Sequence, residues 1–169
     1  MKILVIQNKM GIGDMVIYLP FIDAISKKFN TPVSILVKES SKAEKFLKDS
    51  NTINKIIILE RGNKLNNGKH DGLIGSYNLA RDLRQYNFDK VFIFNSSFRF
   101  NLIVRIAGIK DIHQYPLLQK KNQQVIKAAK DLLKKNLNLN IESNPEILIS
   151  NQSVKEAKSK YKINNDEKN

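Results

Sequence analysis

A chain of 169 residues has room for one domain with a real core, and its lack of cysteine excludes disulfides, cysteine-ligated zinc and thiol nucleophiles. With 41% hydrophobic and 27% charged residues it has the balance of a globular protein, and no run nears the roughly 18 apolar residues that span a bilayer. The formal charge of +13, from 29 Lys and Arg against 16 Asp and Glu, suits an anionic surface; spread along the chain without interleaved aromatics, it makes no stacking platform for nucleic acid.

Met1-Lys2 leads directly into Ile3-Leu4-Val5-Ile6, short and β-branched like a buried parallel strand. Gln7-Asn8-Lys9 then cuts the apolar run, so no signal peptide is formed and a cytoplasmic location is expected. The turn Lys9-Met10-Gly11-Ile12-Gly13-Asp14 opens a helix whose apolar residues Met15, Val16, Leu19, Ile22, Ile25 and Phe29 recur at helical spacing. A strand, a glycine turn and a helix N-terminus together make a natural site. The first helical N–H groups have no internal partner, and glycine lets a phosphate or sugar approach the backbone. Asp14 has two readings here: it caps the helix, or it faces a ligand as a base. The turn lacks the third glycine of the dinucleotide fingerprint and the Gly-Lys-Ser/Thr ending of the P-loop.

Asn30-Thr31-Pro32 ends the first βα unit, and residues 33–37 read as a second strand. Residues 40–48 predict a short helix capped by Ser40 or Ser41, and residues 55–59 a third strand. Residues 60–70 have no period and are rich in Gly, Asn and basic side chains, including Arg61 and Lys64; they form a long loop at the carboxyl end of a strand. His70 falls in this loop, reads as a surface residue and is assigned no role.

Residues 75–86 predict a helix with Leu79, Ala80 and Leu83 inward, followed by a fourth strand over 90–94. The polar cluster Asn95-Ser96-Ser97-Phe98-Arg99 begins the next helix, which Gly108 terminates. A short edge strand within 109–115 and an amphipathic helix over 122–137 complete the pattern. Strands alternating with helices imply βαβ units, right-handed crossovers and a parallel sheet: an α/β, Rossmann-like three-layer fold. Beyond residue 139 the character changes, with a linker-like 140–145, a brief strand over 146–149 and a helix over 153–161.

Three stretches together resemble the family-9 glycosyltransferases, the lipopolysaccharide heptosyltransferases. The strand of residues 1–6, then Gly11-Ile12-Gly13-Asp14 and Leu19-Pro20, looks like that family's opening. Asp82-Leu83-Arg84 running to Phe88-Asp89-Lys90-Val91 is similar to its Asp-Leu-Arg helix entering a strand. Ser97-Phe98-Arg99 up to Ala107-Gly108 looks like its Ser-x-Arg helix closing on Ala-Gly.

The resemblance covers about residues 1–139 and implies the amino-terminal, acceptor-side half of a GT-B fold. Residues 140–169 would then be a linker and the start of a donor-binding domain, so this chain alone is expected to be incomplete and inactive. The activity implied is transfer of a sugar from a nucleotide-sugar donor, ADP-heptose or similar, to a lipopolysaccharide-core or related glycan acceptor. Asp14 falls where the family places its general base. Gly11 and Gly13 would admit the sugar, and Arg61, Lys64, Ser97 and Arg99 would hold phosphates or carboxylates of the acceptor. No cofactor or metal is implied. The expected partners are the nucleotide sugar, a lipid-linked glycan and an anionic membrane touched peripherally, with no nucleic acid. The alternative is a non-catalytic Rossmann-like module that binds a phosphorylated glycan or nucleotide, or one subunit of a split transferase.

Overall fold

The computed structural model describes residues 1–62, 66–117, 124–142 and 144–161. Its five strands, β1 (Ile3–Ile6), β2 (Val33–Lys38), β3 (Ile53–Leu59), β4 (Lys90–Ile93) and β5 (Asp111–Gln114), form one parallel sheet in the order β3-β2-β1-β4-β5. Six helices accompany them among the described residues: α1 (Ile12–Phe29), α2 (Ala43–Phe46), α3 (Gly72–Arg84), α4 (Phe98–Ile106), α5 (Val125–Leu137) and α6 (Asn151–Tyr161). From β1 the chain moves outward to β2 and β3 with α1 and α2 on one face. It then returns through α3 to β4 and moves the other way to β5. Because crossovers keep one hand, reversing direction puts α3 and α4 on the opposite face, which makes the sheet doubly wound.

Strand alternation divides the core in two. Ile3, Val5, Ile35, Phe92 and Phe94 pack with Tyr18, Phe21 and Ile22 of α1 and with Ala129 and Leu133 of α5. Leu4, Ile6, Leu36, Val91 and Ile93 pack with Leu79 and Leu83 of α3 and with Phe100, Ile103 and Val104 of α4. Every residue of β1 is buried, as befits a central parallel strand covered on both faces.

Three local expectations are corrected. The helix foreseen over 40–48 is a 3₁₀ turn, Glu39–Ser41, followed by the single turn of α2, because Lys42 adopts a left-handed conformation between them. Ser41 still accepts a hydrogen bond from the Ala43 N–H at 3.3 Å. Helix α3 begins at Gly72 rather than residue 75. Residues 146–149 pair with no strand among the described residues; Glu146 and Leu148 line a cavity of about 140 Å³ together with Leu19, Asp23 and Lys27 of α1 and with residues of the Phe46–Thr52 turn. Behind them, the backbone N–H of Ser150 and the hydroxyl of Ser153 donate to Asp49 at 3.2 and 2.9 Å, docking α6 on the turn after α2.

Candidate functional site

Between β1 and β4 the strand order reverses, and open α/β sheets bind ligands in the crevice this creates at their carboxyl ends. The loops leaving those two strands meet there. Asn95 donates its amide to the Asn8 side chain at 3.2 Å across the mouth. Gln7, the last fully buried residue of the β1 segment, has no hydrogen-bond partner for either amide atom. A buried amide left in this state at a ligand crevice is a ready polar contact. The sequence signal for it was the break in the apolar run at Gln7-Asn8, which carries no motif and so drew no site assignment.

Gly11 is the N-cap of α1 and has a φ of 95°, a conformation that glycine alone adopts freely. No side chain caps this helix. Asp14 sits in its first turn, half-buried, and among the described residues no hydrogen bond holds its carboxylate, so the reading of it as a cap is not what the geometry shows. Its charge acts on Tyr18 one turn on, whose hydroxyl is pushed up first by burial and further by Asp14. Both Gly11 and Gly13 face open space, which leaves the turn accessible.

A groove of about 870 Å³ opens beside the crevice, over the ends of β1, β2 and β3. Asn8, Met10, Lys38, Ser40, Arg61 and Lys69 are among its lining residues; Asp14 is not. Its outer wall is the loop after β3, and that loop is held closed by its own residues. The N–H of His70 donates to the Glu60 carbonyl at 3.0 Å, and the N–H of Glu60 donates to His70 Nδ1 at 3.0 Å. Asp71 accepts from the Gly62 and Gly68 N–H groups at 2.7 Å each and pairs with Arg61. Those two amides, more than the guanidinium, hold the Asp71 carboxyl below the usual carboxylate range.

His70 corrects its surface reading. It is only 2% exposed, and with Nδ1 accepting from Glu60 its Nε2–H donates to Asp82 at 3.1 Å. Burial works to raise the Asp82 carboxyl, but hydrogen bonds from Lys69 and His70 outweigh it and hold the group below its ordinary range. The Asp-Leu-Arg stretch thereby acquires a structural meaning: Asp82 pins the loop, Leu83 enters the core and Arg84 donates to the Ile106 carbonyl at the end of α4.

Arg99, in the first turn of α4, donates to the carbonyl of His70, to that of Gly72 at 3.5 Å and to the Ser76 hydroxyl at 2.9 Å. Its guanidinium is depressed by burial first and then by the nearby Arg61 charge, so two cations share this side of the groove. Ser97 precedes α4 as its N-cap residue; its N–H donates to Asn95 at 2.8 Å and its carbonyl accepts from Gln114 at 2.9 Å. Gly11, Gly13 and Asp14 thus follow β1 and Ser97 follows β4, the two strands at which the order reverses, while His70 and Asp71 of the loop link Arg99 and Arg61. Lys64 lies outside the described residues.

A parallel sheet wound in both directions from β1, with an uncapped glycine turn at its switch point, defines a Rossmann-like domain of the kind that forms half of a GT-B glycosyltransferase. Among solved structures the chain is similar to a glycosyl transferase family 9 protein from Veillonella parvula DSM 2008, with a TM-score of 0.70 and 15% identity over 96% of this chain and 50% of that one. It is also similar to the E. coli ADP-heptose lps heptosyltransferase II (TM-score 0.65, 17% identity, 98% of this chain and 52% of that one). A third likeness is to E. coli heptosyltransferase WaaC with ADP (0.55, 18%, 86% and 49%). The chain spans about half the length of each of these structures, and the likeness is one of fold. No family model matches the sequence, and no curated protein does.

Proposed function

We propose that this chain is the acceptor-side half of a heptosyltransferase-like glycosyltransferase, with Asp14 as its general base. The observation that carries the reading is the state of the Asp14 carboxylate: half-buried at the switch point, in the first turn of a helix with no side-chain cap, and with no hydrogen bond among the described residues. The acceptor hydroxyl gives its proton to Asp14 as its oxygen bonds to the anomeric carbon, and the sugar–phosphate bond breaks to release the nucleoside diphosphate. A positioned base of this kind contributes typically ~10²–10⁴-fold. Gly11 and Gly13 leave the turn open to the sugar, and the free N–H groups of the first α1 turn favour an anionic substituent beside it. Arg61 on the groove wall meets a phosphate or carboxylate of the acceptor core, Ser97 contributes a hydroxyl, and Arg99 holds the loop that presents Arg61.

Two of the solved structures that share the fold carry ADP-heptose or a fluorinated ADP-heptose in their names, which supports a nucleotide-sugar donor. That donor is taken to occupy a second α/β domain facing the crevice. The test joins this chain to such a domain and measures transfer by Asp14→Asn. Turnover is expected to fall about 10²-fold or more with the thermal midpoint unchanged. Full turnover in the variant would remove Asp14 from the chemistry.

A further inference from the structure

His70 closes a contact whose chemistry depends on a single proton. Helices α3 and α4 fix it from three sides. Its Nε2–H donates to Asp82, Arg99 donates to its carbonyl, and its backbone lies so close to Gly75 that no Cβ would fit there. The fourth contact is with Glu60, the residue after β3. The His70 N–H donates to the Glu60 carbonyl and the Glu60 N–H donates to Nδ1, both at 3.0 Å. A backbone N–H only donates, so Nδ1 must offer a lone pair, and with Nε2 holding the ring's one proton toward Asp82 the imidazole is neutral while the contact lasts. A second proton has one place to go, Nδ1, and there it sets two N–H groups against each other. The ring is buried, so its new N–H finds no water instead.

We propose that His70 is a proton-sensitive latch on the groove wall: a proton at Nδ1 unfastens Glu60 at the end of β3, while His70 itself stays on α3. The fastened state excludes that proton and the released state admits it, so a falling pH shifts the balance toward release. Imidazole is the side chain that ordinarily changes charge between about pH 5 and 8, which puts the change in mild acid. The anchors decide which partner lets go. Asp82, which also takes Lys69, faces an imidazolium in place of an imidazole and grips the ring harder, so the loss falls on Glu60. The other charged groups at this corner are Arg61 and Asp71 on the loop, Arg99 on α4, and Glu60 and Arg81, which act on Lys69. Arg61 stays paired with Asp71, whose carboxylate also keeps the Gly62 and Gly68 N–H groups. These bonds survive, and only the attachment to the strand end gives way. Glu60 and Arg61 both line the groove of about 870 Å³, so the latch sets how firmly that wall is held. Any effect on an acceptor rests on the proposed function; the latch itself does not.

The experiment follows amide exchange in the full 169-residue chain at about pH 8 and about pH 5. With intrinsic exchange divided out, protection at Glu60 is expected to fall about tenfold in acid, the scale of one hydrogen bond, while Gly62 and Gly68 keep theirs. Ring-nitrogen NMR supplies the second readout, with His113 the one other histidine to assign. The His70 ring should carry its proton on Nε2 alone at the higher pH and gain one on Nδ1 over the range in which Glu60 loses protection. His70→Asn puts an amide oxygen near the Nδ1 position, an acceptor that does not titrate, and is expected to remove the pH dependence at Glu60. Equal protection of Glu60 at both pH values in the parent chain overturns the proposal. So does a loss at Glu60 out of step with the His70 ring, or one that persists in His70→Asn. A loss shared by Gly62 and Gly68 overturns it as well, because the loop would then be melting as a whole. Should His70→Asn fail to fold, the ring spectra decide alone. No sugar transfer is measured, so a failure of this latch and a failure of Asp14 as the base are told apart.

Discussion

The two sides of the sheet are built from different materials. Against α1 and α5 the core is aromatic: the Phe94 ring lies 5.0 Å from Tyr18, 5.9 Å from Tyr115 and 6.3 Å from Phe21, with Phe92 stacked on His113 at 4.7 Å. Against α3 and α4 it is largely aliphatic, drawn from Leu4, Ile6, Leu36, Leu79, Leu83 and Ile103. The outer surfaces invert the order, lysines over α5 and bare apolar side chains over α3 and α4. Ring-on-ring packing secures the α1–α5 side. The other side is held inside by leucines and isoleucines with Phe88 and Phe100 among them, and by a polar clasp, Glu60–His70–Asp82. The lesson is that equal burial is reached by two means, ring against ring on the α1–α5 side and interlocking aliphatics with a buried hydrogen-bonded clasp on the α3–α4 side.

The largest effect should come from breaking the aromatic side. Phe94→Ala empties the centre of that ring cluster and is expected to cost about 3–5 kcal/mol in denaturant unfolding. A loss under about 1 kcal/mol would mean that the cluster relaxes into the gap and that the asymmetry has no energetic content. On the other side, His70→Ala removes a buried ring that accepts from Glu60 and donates to Asp82, leaving both groups without that partner. The expected cost is about 1–3 kcal/mol, with faster amide exchange at Glu60 as the local signature. Unchanged exchange there would show that the clasp does not hold the loop.

The architecture was legible because the strands are apolar runs and the helices have a clean 3.6-residue period; Gly108 stops α4 as its sequence position suggests, with a φ of 93°. The errors lie where a period is absent or misleading. The first turn of α3 was missed because Leu73 and Ile74 are apolar but face outward, so they break the inward pattern that begins with Gly75 and Leu79. Lys42 carries no turn signature yet takes the left-handed conformation that divides the helix expected over 40–48. The apolar run in residues 147–149 reads as a strand, but it pairs with neither edge of the sheet, β3 or β5. Within the site, the glycine turn and Asp14 announced themselves, since a strand, two glycines and an acid are contiguous in the chain. The His70–Asp82 pair did not, because twelve residues separate partners that only the fold brings to 3.1 Å.

The smallest expected effect sharpens the comparison most, because it gives the two sides opposite responses to acid. Asp23 of α1 is raised above the usual carboxylate range by burial, only partly offset by the Thr52 hydroxyl that donates to it. Asp71 is lowered, by the Gly62 and Gly68 amides first and by Arg61 less. A raised carboxyl binds its proton more tightly folded than unfolded, so acidification through its folded value strengthens the α1 side. A lowered one works the other way: its contribution to the loop is complete above the unfolded value of roughly 4 and is lost as the pH falls toward its depressed folded value. Carboxyl-carbon NMR should therefore show Asp23 titrating before Asp71 on acidification. Exchange at the Gly62 and Gly68 amides should rise, beyond the intrinsic pH dependence, only in the Asp71 step. Asp71 titrating at or before Asp23 would mean that those amides do not hold its charge, and that the groove wall owes its shape to something other than this carboxylate.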